Sequence, residues 1–331
     1  MSKLKENFQE LPDYVDLPLL DGIPSSWGLW GPQDALGTLN LLTEDLVLTA
    51  KEFIKKGKVF PVNWSMRYPD PPLFERLPWK HVVSANPGGT SQDDRLDGWN
   101  TQSSTQWDGF RHVRRFGHGL YNGLKNEEHG IEIWAEHGIV GRSVLVDVAR
   151  WRDYNGNPLQ QGTPEVITVE DIISTLKYQK VEIRGGDILL IRTGWIAWYE
   201  NLSSAQKKNV STFEGLHNVG LEANEAMAKF LWNCHISAIA ADNPALESWP
   251  LGANLDSSLL KQIQSDPNRE HEILLHIRIL TMLGLPIGEL FYLEALAADC
   301  ANDKIWEFFF SSSPLHLPNG VASPPNAIVI K

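Results

Sequence analysis

The chain has 331 residues, a formal net charge of -12, and 42% hydrophobic against 21% charged residues. That apolar content suffices to bury a core and excludes a disordered chain, while the acidic balance excludes a nucleic-acid or anionic-membrane surface, which needs clustered Lys and Arg. The two cysteines, Cys234 and Cys300, have no neighbouring zinc-motif partner and form no disulfide framework, so they read as reduced thiols.

Residues 1–40, rich in Pro, Gly and Trp, read as an ordered extension of a single domain spanning 1–331. The polar start lacks the apolar core of a signal peptide, and no apolar run approaches the ~18 residues of a membrane span. A cytoplasmic protein that contacts no membrane is the expectation. Leu41 to Gly57 has helical spacing of Leu46, Val47, Ala50, Phe53 and Ile54, with Thr43 as cap and Gly57 as stop. Val59 to Met66 alternates like a strand. Residues 67–100, with Asn86-Pro-Gly-Gly as a turn signal, read as a long loop of the kind that covers a pocket.

The second half is more regular. Gly141 to Ala149 reads as a buried strand, Thr168 to Gln179 as a helix with a Thr-x-x-Asp cap, and Gly185 to Gly194 as a turn and a second buried strand. Leu221 to Asn233 is an amphipathic helix, His235 to Ala241 a third strand ending at Asp242-Asn-Pro, Asn268 to Met282 a helix, and Ala327 to Ile330 a terminal strand. Short apolar strands mixed with helices indicate an α/β fold. No G-x-G-x-x-G follows a strand and no G-x-x-x-x-G-K-[ST] occurs, so no nucleotide cofactor is expected.

The densest polar stretch runs from Asn100 to Asn122 and holds Gln102, Gln106, Asp108, His112 and His118. A carboxylate near an imidazole orients it and raises its basicity for general acid–base work, and the same pair of residue types binds divalent metals. The bland alternative is a polar loop whose groups satisfy each other. His271, His276, Glu289 and Glu294 form a weaker, distant set. Asp242-Asn-Pro is either a pocket floor at a strand end or a turn. No G-x-S-x-G marks a nucleophilic serine.

The stretch Gln102-Ser-Ser-Thr-Gln-Trp-Asp-Gly-Phe-Arg-His112 resembles, in register, the H-x-G-T-H-x-D-x-P-x-H motif of the cyclase family of kynurenine formamidases and isatin hydrolases. Thr105, Asp108 and His112 match; Gln102 and Gln106 stand where the family has two metal-binding His, and Phe110 replaces the Pro. Gly186-Asp-Ile-Leu-Leu-Ile-Arg-Thr-Gly and the late His276 and Glu289 also resemble family motifs. The opening Trp27-Gly-Leu-Trp-Gly-Pro, with Asp242-Asn-Pro and Ser323-Pro-Pro-Asn, resembles a longer subgroup found in fungi and some bacteria.

The resemblance implies a swivelling β/β/α-type fold with a mixed sheet and flanking helices, a homodimer or homotetramer, and hydrolysis of an amide, cyclic amide or lactone. It implies Asp108, His276 and Glu289 as ligands of zinc or manganese, and His112, beside Asp108, as proton shuttle. Glutamine offers only a neutral carbonyl oxygen, a poor substitute for imidazole on zinc. That leaves one metal on the remaining ligands, a harder ion such as manganese, or a metal-free acid–base pair with the Gln amides donating to a substrate carbonyl. Gln102, Gln106, Trp107 and His118 are the candidate substrate contacts, and the abundant Trp points to an aromatic or bulky apolar small molecule. The competing readings are a metal-independent cyclase or isomerase of secondary metabolism and a non-catalytic binding protein on the same fold.

Overall fold

The computed structural model describes residues 11–331. Its centre is a nine-stranded mixed sheet. The strands in the middle, β5 (Ile139–Asp147), β6 (Ile188–Arg192), β7 (Ala238–Ala241) and β8 (Ile287–Glu289), pair in parallel in the order β5-β6-β7-β8. They read as continuous apolar runs, as strands covered on both faces do: Leu189, Leu190, Ile239 and Ala240 are inaccessible to solvent. Beyond β8 the sheet continues antiparallel through β4 (Gln106–Asp108) and β10 (Ala322–Ser323). Beyond β5 it continues antiparallel through β9 (Glu307–Ser312), β11 (Ile328–Ile330) and β1 (Val59–Pro61). Helices α1 (Glu44–Ala50) and α2 (Val169–Gln179) pack on β5, and α3 (Glu225–Asn233) packs on α2. This is the mixed α/β architecture with flanking helices that the sequence indicates.

Helix α2 starts where the capping signal places it. Thr168 accepts from the Asp171 backbone N–H, and the Asp171 carboxylate accepts from the Thr168 N–H. Helix α1 begins after Thr43 as expected but ends at Ala50, giving way to a 3-10 turn at Lys51–Phe53. The expected strand at Val59 to Met66 shrinks to β1. Three further expectations are corrected. The loop at 67–100 contains a hairpin, β2 (Lys80–Ala85) and β3 (Gln92–Asp97), turned by Asn86, whose side-chain oxygen accepts from Thr90 and Ser91 N–H. Because neither face of this ribbon is covered, its sequence carries no period-2 apolar signal. Residues 268–282 do not form one helix: a 3-10 segment, Pro267–Glu272, is followed by a wholly buried π-helical stretch, Ile277–Met282. Helix α3 starts one turn later than expected, at Glu225 rather than Leu221, since Gly220–Leu221 pairs with Val166–Ile167 as a short parallel ladder. The N-terminal extension of residues 1–40 falls partly outside the described residues. No described helix is long and apolar enough to cross a membrane.

The β4–β8 register fixes what faces where. Gln106 lies opposite Glu289, Trp107 opposite Gly288, and Asp108 opposite Ile287. Side chains alternate along a strand, so Gln106 and Asp108 share one face and Trp107 takes the other. Trp107 is fully buried, edge-on to Phe291 at 5.0 Å, with its indole N–H donated to Ser312 Oγ at 2.9 Å. Gly288 lets it in: a Cβ there would stand 2.6 Å from Phe291, 2.7 Å from Ala240 and 2.9 Å from Trp107. Gly288→Ala should therefore destabilise the fold by about 1–3 kcal/mol through overpacking, as measured by urea denaturation; unchanged stability would show that the ladder has slack at this point.

Candidate active site

Four titratable side chains from distant parts of the chain meet on the Gln106/Asp108 face of the sheet. Asp108 ends β4, Glu289 ends β8, His112 follows the turn after β4, and His276 stands at the entrance to the π-helical stretch. Asp108 and Glu247 are inaccessible, His276 and Glu289 nearly so, and His112 is half-buried.

Thr105 prepares the strand for this role. Its hydroxyl accepts from the Trp64 backbone N–H and donates to the Leu290 carbonyl, both at 2.7 Å, tying the motif to the residue after Glu289. The neighbouring Gln106, on the cleft face, donates its amide N–H to Glu289 Oε2 at 2.7 Å, across the ladder. Gln102 donates to Asp108 Oδ1 at 2.7 Å and lies 3.2 Å from His112 Nδ1. Both glutamines thus spend their N–H groups on the buried carboxylates rather than offering them to a substrate carbonyl.

His276 is held by a residue that the sequence reading passed over. Its Nδ1 lies 2.8 Å from Glu247 Oε2, while Nε2 sits 3.4 Å from Glu289 Oε1 and 3.8 Å from Asp108 Oδ2. Burial by itself would lower the pKa of His276. The hydrogen-bonded charge of Glu247, with the nearby carboxylates of Asp108 and Glu289, outweighs it and holds the imidazole well above its ordinary value. Burial likewise pushes Asp108 up, but the positive charge at His112 and His276 and the Gln102 amide bring it below the usual carboxylate range. Glu289 goes the other way: burial and the Asp108 charge raise it.

A cleft of about 320 Å³ opens onto these groups, lined by His112, His276, Glu289 and Glu247 and walled by Phe74, Phe213 and Trp249. Arg76 also lines it. Backbone conformations rarely adopted by L-residues border the site: Phe74 and Glu75, Ala245 and Leu246, and Leu290 all have φ between 52° and 69°. Such residues cost about 1–3 kcal/mol each and cluster where a structure over-determines a functional geometry. The Ala245–Leu246 turn is what aims Glu247 back at His276.

The residues fit a divalent cation. Asp108 Oδ2 and Gln106 Oε1 are buried acceptors with no hydrogen-bond partner among the described residues. Ligand atoms of Asp108, His112 and His276 lie within 4.8 Å of one another, and Glu289 Oε1 stands beside His276 Nε2. Glu247 behind His276 is the carboxylate–histidine arrangement that fixes the tautomer of metal-binding imidazoles. The donors are mainly oxygens, which suits a harder ion than zinc.

Other sequence candidates are placed elsewhere. Trp107 faces the core and cannot touch a ligand in the cleft. His118 pairs with Asp21 at 2.5 Å and does not line the cleft. His271 bonds the Asn268 carbonyl, and Glu294 forms a two-pronged pair with Arg192. Asp242 is no pocket floor: its carboxylate accepts from Thr193 N, Thr193 Oγ1 and Gly194 N and so anchors the start of the Trp195–Glu200 helix. Glu247, Arg76 and the aromatic wall carry no local motif, and only the fold brings them in.

Gln106→Leu would leave the Glu289 and Asp108 carboxylates short of an N–H donor in a buried place. The expected cost is about 1–3 kcal/mol or more in chemical denaturation; an unchanged midpoint would mean that the amide is not compensating those charges.

Residues 52–248 match the family described as "Putative cyclase". No curated protein matches the chain. Among solved structures, one described as a novel cyclase is 29% identical, with a TM-score of 0.77, over 93% of this chain and 99% of that one. Isatin hydrolase A from Labrenzia aggregata, bound to benzyl benzoate, is 17% identical with a TM-score of 0.57, over 88% of this chain and 98% of that one. Isatin hydrolase A from Ralstonia solanacearum is 13% identical with a TM-score of 0.57, over 82% and 91%, and at these identities the likeness is one of fold. The family match spans more than half of the chain, and this protein therefore belongs to the cyclase family, as an enzyme of hydrolase or cyclase type.

Proposed function

We propose that the protein hydrolyses an amide, cyclic amide or lactone in the cleft above Asp108, His112, His276 and Glu289. The observation that carries this is the convergence of two imidazoles and three carboxylates, on four separated stretches of chain, at the floor of an apolar-walled cleft. A structure gains no stability from burying so many ionisable groups together, and perturbed titratable clusters in clefts mark functional sites.

His112 is the group placed to move a proton. It is half-buried, lines the cleft, and has its Nδ1 side against Gln102, whose amide also bonds Asp108. His276, clasped by Glu247, is less free to exchange protons and serves to hold the two carboxylates together. Asp108, His276 and Glu289 are the residues that would hold a zinc or manganese ion. Such an ion supplies polarisation of the substrate carbonyl and a lowered pKa of water. The isatin hydrolases of like fold make a cyclic amide the first substrate class to test.

A metal-independent cyclase or isomerase remains the second reading, favoured by the Gln102 and Gln106 amides, which already satisfy much of what the carboxylates need. A homodimer or homotetramer in the cytoplasm completes the proposal.

Three measurements test the proposal. Metal content of the purified protein should be near-stoichiometric by mass spectrometry and fall in Asp108→Ala. Protein that stays metal-free after incubation with zinc and manganese would move the reaction to the second reading. In a panel of anilides, cyclic amides and lactones, His112→Ala should lower kcat by about 10²–10⁴, the usual worth of a general acid–base group; undiminished turnover would remove His112 from the chemistry. Restoring the family pattern in a Gln102→His, Gln106→His variant should tighten zinc binding by about tenfold or more in a chelator competition, because imidazole replaces a neutral oxygen; equal affinity would show that neither position faces the ion.

A further inference from the structure

The cleft is lined by carboxylates, and Arg76 is the guanidinium among its described lining residues. Its Nη1 donates to the Gln102 carbonyl at 2.7 Å. The guanidinium lies over the Phe74 ring, 5.1 Å from its centroid. No other hydrogen bond of this group, and no carboxylate within ion-pair distance, is found among the described residues. Asp108 and Glu289 feel its charge without reaching it, and burial of the side chain works against that charge. An Arg carries five N–H donors in a planar fork matched to a carboxylate. Here most of that fork is unspent and open to the cleft.

The backbone that carries Arg76 is set up for this orientation. Leu73 is buried with Trp64, Trp195 and Tyr199, which anchors the segment. Phe74 and Glu75 then take φ of 56° and 55°, unusual for a bulky residue, and the turn closes with Arg76 N–H donated to the Leu73 carbonyl at 3.2 Å. Glu75 N–H donates to the Ser211 carbonyl, which ties the turn to the segment bearing Phe213. The result is a cation flanked by an aromatic wall: Phe74 lies 5.3 Å from Trp249 and 5.7 Å from Phe213.

We propose that Arg76 is a specificity-determining residue that binds the carboxylate of the substrate, so that the enzyme acts on acids whose apolar or aromatic portion lies against Phe74, Phe213 and Trp249. The carboxylate meets the open N–H fork, and the scissile group is thereby held over His112. This rests on the reading of the cleft as the active site and adds the substrate's charge to it.

Benzoate and its neutral isostere benzamide are the probes, with binding followed by calorimetry and by tryptophan fluorescence. The purified wild type should bind benzoate at least tenfold more tightly than benzamide, Arg76→Gln should abolish that preference, and Arg76→Lys should retain part of it. Equal binding of the two probes by the wild type overturns the proposal without any variant. So does a benzoate preference that persists in folded Arg76→Gln, because the anion would then be held by His112, His276 or a cation on the floor. Should Arg76→Gln fail to fold, Arg76→Lys decides: a preference as large as in the wild type counts against the fork, and a reduced one supports it. Hydrolysis by His112→Ala is read separately. Loss of turnover there with no Arg76 effect leaves the active-site reading standing and this proposal refuted; retained turnover with loss of the benzoate preference in Arg76→Gln refutes the role of His112 and leaves Arg76 only as a carboxylate contact of the cleft.

Discussion

The structure depends on keeping three carboxylates, Asp108, Glu247 and Glu289, away from water around one imidazole. Removing a single ion from water costs several kcal/mol even in a relaxed protein interior, and like charges in close reach add to that cost. The compensation is local and specific. His276 holds positive charge between the three, Gln102 and Gln106 each give an amide N–H to a carboxylate, and Asp108 retains one oxygen without a partner. The incomplete compensation is informative: a surplus of negative charge on a floor open to a cleft favours whatever brings positive charge, whether proton or metal ion.

That constraint reaches well into the fold. Gln106 can reach Glu289 only in the register that sets Trp107 opposite Gly288, because a slip of one residue would send Gln106 and Asp108 to the core and Trp107 into the cleft. The register is secured from the other face by the packing of Trp107 on Phe291 and Phe310 and from the motif's own Thr105, which bonds two backbone segments at once. Residues that never touch the cleft thus decide which groups line it. The unusual backbone at Ala245–Leu246 and Leu290 is a local cost offset by the packed clusters on either side.

Much of this was legible in the sequence, and the boundary has a physical basis. The buried strands, the Thr168 cap and the run from Gln102 to His112 are written in neighbouring residues, so periodicity and motif spacing reveal them. Resemblance added His276 and Glu289, which the structure does bring to Asp108. Glu247 stayed hidden because its meaning lies in a contact with His276, 29 residues further along, made possible by a turn that no propensity predicts. Arg76 was hidden for the same reason. Trp107 and His118 misled because nearness in sequence to a motif is not nearness in space: strand alternation turns one into the core, and Asp21 draws the other away. The hairpin at 80–97 escaped because an exposed ribbon has no apolar face to show.

Gln102 and Gln106, which stand where the resemblance places two metal-binding imidazoles, read differently once the charges are counted. An imidazole in either place would be a metal ligand through nitrogen or, if protonated, a second cation among the carboxylates. A primary amide is neither, but it donates where the carboxylates need donors and leaves a carbonyl oxygen unspent. The glutamines therefore compensate part of the buried charge themselves, and a cation bound there would add to that stability. Selectivity is left to the cleft walls, where Arg76 faces the carboxylates at a distance and the aromatic rings of Phe74, Phe213 and Trp249 fix where an apolar group can lie.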